Sequence, residues 1–134
     1  MTEENSQEKY MEYQMLMQQF QQMQENISSL QKHTNNLTEL KSSISNVSGL
    51  KTGEETFMPL GNGIFLIGNL KENQKAIMNV GSGVCVEKNI EDIALTIDKQ
   101  ITEISSLMIH IQTQAEATGE RLSEVHQALQ DLKK

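Results

Sequence analysis

Two short stretches near the middle of the chain decide how it folds: MPLGNGIF at residues 58–65 and VGSGVCVEK at residues 80–88. Each places apolar residues on both sides of a Gly-x-Gly sequence, which is typical of a β-hairpin with a tight turn. Glycine adopts positive φ without steric cost, and we expect it to do so at Gly61, Gly63, Gly81 and Gly83. The strands predicted around the two turns span residues 56–60, 64–70, 75–80 and 84–88.

These hairpins need a partner surface. A two-stranded hairpin is marginally stable in water, and the segment Ile64–Ile67 is apolar on both faces of its strand. Such an edge aggregates when it is left exposed. We therefore predict that hairpins from several chains pair into an inter-subunit β-barrel. The residues assigned to this assembly are Phe57, Leu60, Ile64, Leu66, Leu70, Ile77, Val80, Val84 and Val86.

A long helix is predicted before the hairpins, over residues 5–48, where neither Gly nor Pro occurs. Its apolar residues are spaced alternately by three and four, as in the seam of a coiled coil. They are Tyr13, Leu16, Phe20, Met23, Ile27 and Leu30, followed in phase by Thr34 and Leu37. The next apolar residue is Leu40, and this extra spacing of three predicts a local overwinding. Asn5 is the predicted N-cap, and Gly49 is the predicted C-terminal stop.

A second long helix is predicted over residues 90–133, with Asn89 as its N-cap. Its seam keeps the alternation of three and four without a break through Ile101, Ile104, Met108, Ile111, Ala115, Thr118, Leu122, Val125, Leu129 and Leu132. Ile90, Ile93 and Ile97 precede this seam after one irregular spacing.

The two helices have similar lengths, so they can fold back on each other as an antiparallel coiled coil. In this register residues near 10 lie beside residues near 130, and Phe20 and Met23 face the small residues of Ala115–Gly119. The predicted fold class is therefore α+β. A single domain over residues 1–134 contains a coiled-coil hairpin of two helices, joined by two β-hairpins at residues 54–88.

Composition argues against several classes of protein. The chain has 11 Lys and Arg against 18 Asp and Glu, a net charge of −7, which disfavours nucleic-acid binding. Apolar residues make up 37% and aromatic residues 4%, which is low for the core of a compact enzyme. The longest apolar run is too short to span a membrane, and the polar first residues predict no signal peptide.

Few side chains suggest reactive chemistry. The single cysteine, Cys85, cannot form an internal disulfide, which suits a reducing cytoplasm, and we expect it to point into packed β structure. His33, His110 and His126 lack the i, i+4 spacing of a helical metal site. No phosphate-binding or dinucleotide motif is present. The expectation is a protein without a metal, a cofactor or an enzymatic activity.

The central stretch resembles the prefoldin family, and more narrowly its alpha-class subunit, which has two hairpins between its helices where the beta class has one. The resemblance lies in Met58–Phe65, Gly68–Leu70 and Val80–Lys88, and the flanking helices match in length and place. It implies an ATP-independent co-chaperone in the cytoplasm. The expected complex is a hexamer of two alpha and four beta subunits, typical of archaea, whose arm tips pass non-native proteins to a group II chaperonin.

The arm tips of this chain are rich in methionine. Met11, Met15 and Met17 lie mostly off the seam, and exposed methionine adapts to varied apolar partners. The residues expected to bind clients are Tyr10, Met11, Tyr13, Met15, Met17, Phe20, Val125, Leu129 and Leu132. Those on the seam also fit an ordinary core, unless the helix ends fray.

Two other functions stay open on the sequence alone. A coiled-coil scaffold or adaptor would bind one defined partner through ordered contacts, whereas a chaperone needs adaptable tips. A helical arm that recruits substrate to an enzyme assembly is normally basic when it binds nucleic acid, and this chain is acidic. The methionine cluster favours the chaperone.

Overall fold

The computed structural model describes residues 3–132. In chain order the elements are α1 (Glu3–Ser48), β1 (Glu55–Gly61), β2 (Ile64–Asn69), β3 (Lys75–Gly81), β4 (Val84–Asn89) and α2 (Ile90–Leu132). Two long helices around two antiparallel hairpins confirm the predicted fold class. The described residues divide into two compact units, which we call the two-helix unit (residues 3–34 and 103–132) and the hairpin unit (residues 35–102).

Inside the two-helix unit, α1 and α2 pack in the register that the sequence predicts. The Cβ position of Gly119 lies 3.6 Å from Cε2 of Phe20. One residue earlier on α2, the Thr118 hydroxyl donates to the sulfur of Met23 at 3.9 Å. Large side chains of α1 therefore pack onto small residues of α2, which lets the two helices approach closely.

The α2 seam in this unit is the one predicted from the alternation of three and four. Each of its positions from Glu103 onward is buried or half-buried. Ala115, Leu122 and Val125 are the most deeply buried, and Val125 is only 1% exposed. The removal of this apolar row from water is the main force that holds the helices together.

The hairpin unit has its own small core. Its buried side chains are Leu37 on α1 and Ile90, Ile93 and Ile97 at the beginning of α2. The backbone N–H of Ile90 donates to the carbonyl of Gln74 at 2.8 Å, so α2 begins where the ladder of the second hairpin ends. This contact positions the hairpin beside the helices.

The extra spacing of three does not directly follow Leu37, where the sequence predicts it. Leu40 is exposed, whereas Lys41 is half-buried. The ammonium of Lys41 lies 2.6 Å from a carboxylate oxygen of Asp98 on α2. Lys41 therefore takes the seam position after Leu37. The extra spacing of three falls one step later, because the half-buried residues that follow are Ile44 and Val47.

The predicted beginning of α1 needs correction, whereas its predicted end is confirmed, because α1 ends at Ser48 directly before Gly49. The helix already extends to Glu3, so Asn5 lies inside its first turn and is not the N-cap. Glu3 and Glu4 supply the negative charge that a helix N-terminus favours. At the other end Gly49 does not have positive φ. Its N–H donates instead to the carbonyl of Asn46 at 3.2 Å, which closes a short 3₁₀-type turn.

The two hairpins repeat one another at an offset of 20 residues. Glu55 pairs with Asn69, Lys75 pairs with Asn89, and every later pair keeps the same offset up to the turn. The sequences follow this relation, ETFMPLGNGIFLIGN at residues 55–69 and KAIMNVGSGVCVEKN at residues 75–89. Each hairpin forms a separate two-stranded sheet.

The two turns share one backbone conformation. The φ angles are 120°, 51° and 77° for Gly61-Asn62-Gly63 and 119°, 53° and 76° for Gly81-Ser82-Gly83. The two loop residues are Asn62-Gly63 in the first hairpin and Ser82-Gly83 in the second. Positive φ at both loop residues matches the twist of the flanking strands, which is why turns of this kind are common in hairpins with two-residue loops. The four glycines predicted to have positive φ do have it.

Candidate functional site

An apolar hollow lies at the end of the two-helix unit where α1 begins and α2 ends. Its volume is about 580 Å³, and its lining residues are Ser6, Gln7, Tyr10, Met11, Leu129 and Leu132. Four of these six belong to the set predicted to bind clients. The antiparallel register brings them together from opposite ends of the chain.

The nine predicted tip residues fall into three groups by their exposure. Tyr10, Met11 and Met15 are 55%, 68% and 55% exposed. Val125, by contrast, is buried in the seam. The half-buried residues of the set are Tyr13, Met17, Phe20, Leu129 and Leu132. The exposed group is available to a ligand, whereas Val125 packs the helix pair.

An exposed arginine joins the two helices close to this end of the unit. Arg121 Nε donates to Glu12 Oε1 at 2.9 Å, and its Nη1 lies 3.2 Å from Glu124 Oε2. The hydrogen bond to Glu12, followed by the one to Glu124, raises the pKa of Arg121 above its usual value. An arginine guanidinium is charged throughout the ordinary pH range, so this contact does not switch with pH through the arginine.

Replacing Arg121 by Gln is expected to increase fraying at this end of the unit in low salt and to have little effect in high salt. Exposed ion pairs are weak and screened by salt, but this arginine contacts both Glu12 on α1 and Glu124 on α2. Amide hydrogen exchange over residues 3–16 and 118–132, at about 20 mM and about 500 mM salt, measures the effect.

The control is Lys41→Gln, which removes the exposed pair with Asp98 in the hairpin unit. It is expected to leave exchange in residues 3–16 and 118–132 unchanged. Equal protection of the Arg121 variant and the native chain at low salt would contradict the role given to Arg121.

The first hairpin exposes apolar side chains on both of its faces. On one face Phe57 lies opposite Ile67, and the rings of Phe57 and Phe65 meet edge-on with centroids 6.5 Å apart. On the other face Met58 lies opposite Leu66. All five side chains are exposed. Exposed apolar side chains on both faces of one hairpin mark an interaction surface.

The predicted assembly residues are largely on the surface of the chain. Seven are exposed, and Leu70 and Val86 are half-buried. The exposed ones are Phe57, Leu60, Ile64, Leu66, Ile77, Val80 and Val84.

Sequence reasoning missed three members of this surface, Met58, Phe65 and Ile67. The run Ile64–Ile67 is apolar throughout, so it shows no alternation that separates the two faces of the strand. The turn supplies the missing signal, because it sets the register and places Phe65 and Ile67 on the face of Phe57.

The second hairpin turns one face inward. Ala76, Met78 and Val86 are half-buried, whereas Ile77 on the opposite face is 77% exposed. Between β3 and the helices of this unit runs a groove of about 420 Å³. Its apolar lining residues are Leu37, Leu40, Ile44, Ala76, Ile77, Met78, Ile93 and Ile97.

Cys85 is exposed, so the prediction that it points into packed β structure is wrong. Successive side chains of a strand point to opposite faces. Val86 takes the inward position, which turns Cys85 outward, opposite Asn79.

Within residues 3–132, no group of three or more His, Cys, Asp or Glu side chains is placed to hold a metal ion. No helix in the same range is long and apolar enough to cross a membrane.

Comparison with known proteins assigns the chain to a family. The family model described as prefoldin subunit matches residues 3–134. The chain belongs to the prefoldin family. Among solved structures, the filamentous PFD from Methanocaldococcus jannaschii, determined by cryo-EM, matches with a TM-score of 0.67 and 15% sequence identity. The match covers 89% of this prefoldin chain and 93% of that chain, and at this identity it shows the fold alone. No curated protein matches the chain significantly.

Membership of the prefoldin family explains the exposed hairpins. Prefoldins are chaperones that assemble with other prefoldin subunits, and their β-barrel forms between subunits. Two open two-stranded sheets in a single prefoldin chain fit this arrangement. The family therefore supports a chaperone-type role.

Proposed function

We propose that this prefoldin subunit captures non-native polypeptides without ATP, at the exposed end of its two-helix unit, and delivers them to a group II chaperonin. The observation that carries the proposal is the hollow where Tyr10 and Met11 meet Leu129 and Leu132. Met15, one helical turn beyond Met11, extends the apolar surface. Flexible thioethers pack against many different apolar sequences, which suits a protein with varied clients.

The hairpins provide the second part of the proposal. Two copies of this chain, as alpha-class subunits, assemble with four beta-class subunits into a cytoplasmic, archaeal-type hexamer. The exposed apolar faces of the first hairpin support this, because an unpaired two-stranded sheet is only marginally stable. A hexamer carries several binding ends, and simultaneous contact with one client raises the overall affinity without any new kind of contact.

Replacing Met11 and Met15 by Ser is expected to weaken client capture at least about tenfold while leaving assembly intact. Each side chain loses roughly 1 kcal/mol of apolar burial against a client, and neither is packed in the seam. The measurement is the concentration of the complex that halves the aggregation of a chemically denatured test protein as it is diluted from denaturant.

Leu107→Ser together with Ile109→Ser is the matched control, because both side chains are exposed in the same unit but lie away from the hollow. This variant is expected to capture clients normally. Normal capture by the Met11 and Met15 variant, in a complex of native mass, would contradict the proposal and favour a scaffold with one defined partner.

A further inference from the structure

Acidic side chains lie next to the apolar residues of the hollow. On α1, Glu4, Glu8, Met11 and Met15 follow one another at spacings of four, three and four. Residues at these spacings lie along one stripe of a helix. The two glutamates are exposed, and so are the two methionines. A ligand that covers the methionines therefore meets the carboxylates as well.

The end of α2 adds to this charge. Glu120, Glu124 and Asp131 line a shallow surface that runs along α2 towards its last turn. Residues 3–12 and 120–132 together contain seven carboxylates and two cations, a net charge of −5 that Lys133 and Lys134 reduce to −3. One of the two cations, Arg121, is already engaged by Glu12 and Glu124.

We infer that the hollow selects, among non-native chains, segments that combine apolar side chains with lysine or arginine. This inference rests on the proposed function and narrows its substrate class. An apolar side chain of the segment enters the hollow, and a neighbouring lysine or arginine reaches Glu4 or Glu8. The aliphatic stems of lysine and arginine pack along the methionines at the same time. Segments rich in Asp or Glu meet like charge and are disfavoured.

The test measures binding of three fluorescein-labelled peptides by the full chain in the oligomeric state in which it purifies. The peptides have equal length and equal leucine content, and their remaining positions are all Lys, all Gln or all Glu. Fluorescence anisotropy at about 50 mM salt is expected to show the Lys peptide binding about tenfold more tightly than the Glu peptide, with the Gln peptide between them. At about 500 mM salt the difference is expected to fall below about twofold, because screening shortens the range of the charges.

Two double variants test whether the preference for the Lys peptide arises at the hollow. Glu4→Gln with Glu8→Gln is expected to remove most of the preference for the Lys peptide. Glu25→Gln with Glu103→Gln, at exposed sites of the same unit, is expected to keep it. Glu25 lies about 20 Å along the helix from Met11 at 1.5 Å per residue, which is beyond the screening length at physiological salt.

The possible results separate the inference from the proposed function. Equal binding of the three peptides by the native chain would overturn the inference and leave the proposed function standing. If both variants lose the preference for the Lys peptide equally, the preference comes from the overall charge of the chain, and this result would also overturn the inference. Failure of all three peptides to bind would overturn the proposed function as well.

Discussion

Replacing Phe65 and Ile67 together by Ser will leave the chain unable to assemble at micromolar concentration, while its helices stay formed. Both side chains lie on one exposed face of β2, on the same side of the hairpin as Phe57. Burial of a large apolar side chain contributes about 1.5–3 kcal/mol, so the loss of two weakens association by about 100- to 10,000-fold. Light scattering measures the native mass, and far-UV circular dichroism measures the helix content.

The repeat of the two hairpins provides the matched control for this experiment. Cys85→Ser with Glu87→Ser changes the equivalent positions of the second hairpin, which are exposed but carry little apolar surface. This variant is expected to keep the native mass. Two copies of the chain with four smaller one-hairpin chains would support the proposed hexamer, whereas an unchanged mass in the Phe65 and Ile67 variant would contradict their role in assembly.

Replacing Ile97 by Ala is expected to lower the free energy of unfolding by about 2–5 kcal/mol. Ile97 is 4% exposed and belongs to the small core of the hairpin unit. The substitution deletes buried carbon and leaves a cavity that neighbouring side chains fill only in part. Alanine has the higher helix propensity, so the expected loss comes from packing and not from the helix itself. Urea unfolding followed by far-UV circular dichroism measures it.

Leu95→Ala is the control, because Leu95 lies two residues earlier on the same helix and is 67% exposed. Its effect on the free energy of unfolding is expected to stay within about 0.5 kcal/mol. A loss of similar size in the two variants would show that the burial of Ile97 does not set the stability of this unit.

The predictions for α2 agree with the structure because several sequence signals point the same way. The alternation of three and four is unbroken from Ile101 to Leu132, and every residue in it is apolar or small enough to pack. In α1 the signals conflict after Leu37. An apolar residue at Leu40 precedes a lysine at Lys41, and an apolar pattern alone selects the leucine. Lys41 takes the seam position because its ammonium forms an ion pair with Asp98 on the other helix. This pairing depends on how the two helices pack, which the apolar pattern of one helix does not show.

The tip and the hairpins also show which features could be predicted from the sequence and which could not. Tyr10, Met11, Leu129 and Leu132 could be predicted to lie together because the register brings the two helix ends side by side. In contrast, the direction of Cys85 could not be predicted from the run Val84–Val86, which is apolar at all three positions. Which face of β4 is buried depends on how the hairpin packs against the helices, and the strand itself does not encode that choice.

The offset of 20 residues between the hairpins has a genetic consequence. Asn69 and Asn89 are the last residues of β2 and β4, and α2 begins immediately after Asn89. Excision of residues 70–89 would join Asn69 directly to Ile90. The remaining first hairpin would then precede α2 as the second hairpin does now, with an asparagine as the last strand residue and the same alternation of strand faces. Internal duplication of a module of this length would have the reverse outcome. A two-hairpin chain and a one-hairpin chain are thus one in-frame event apart.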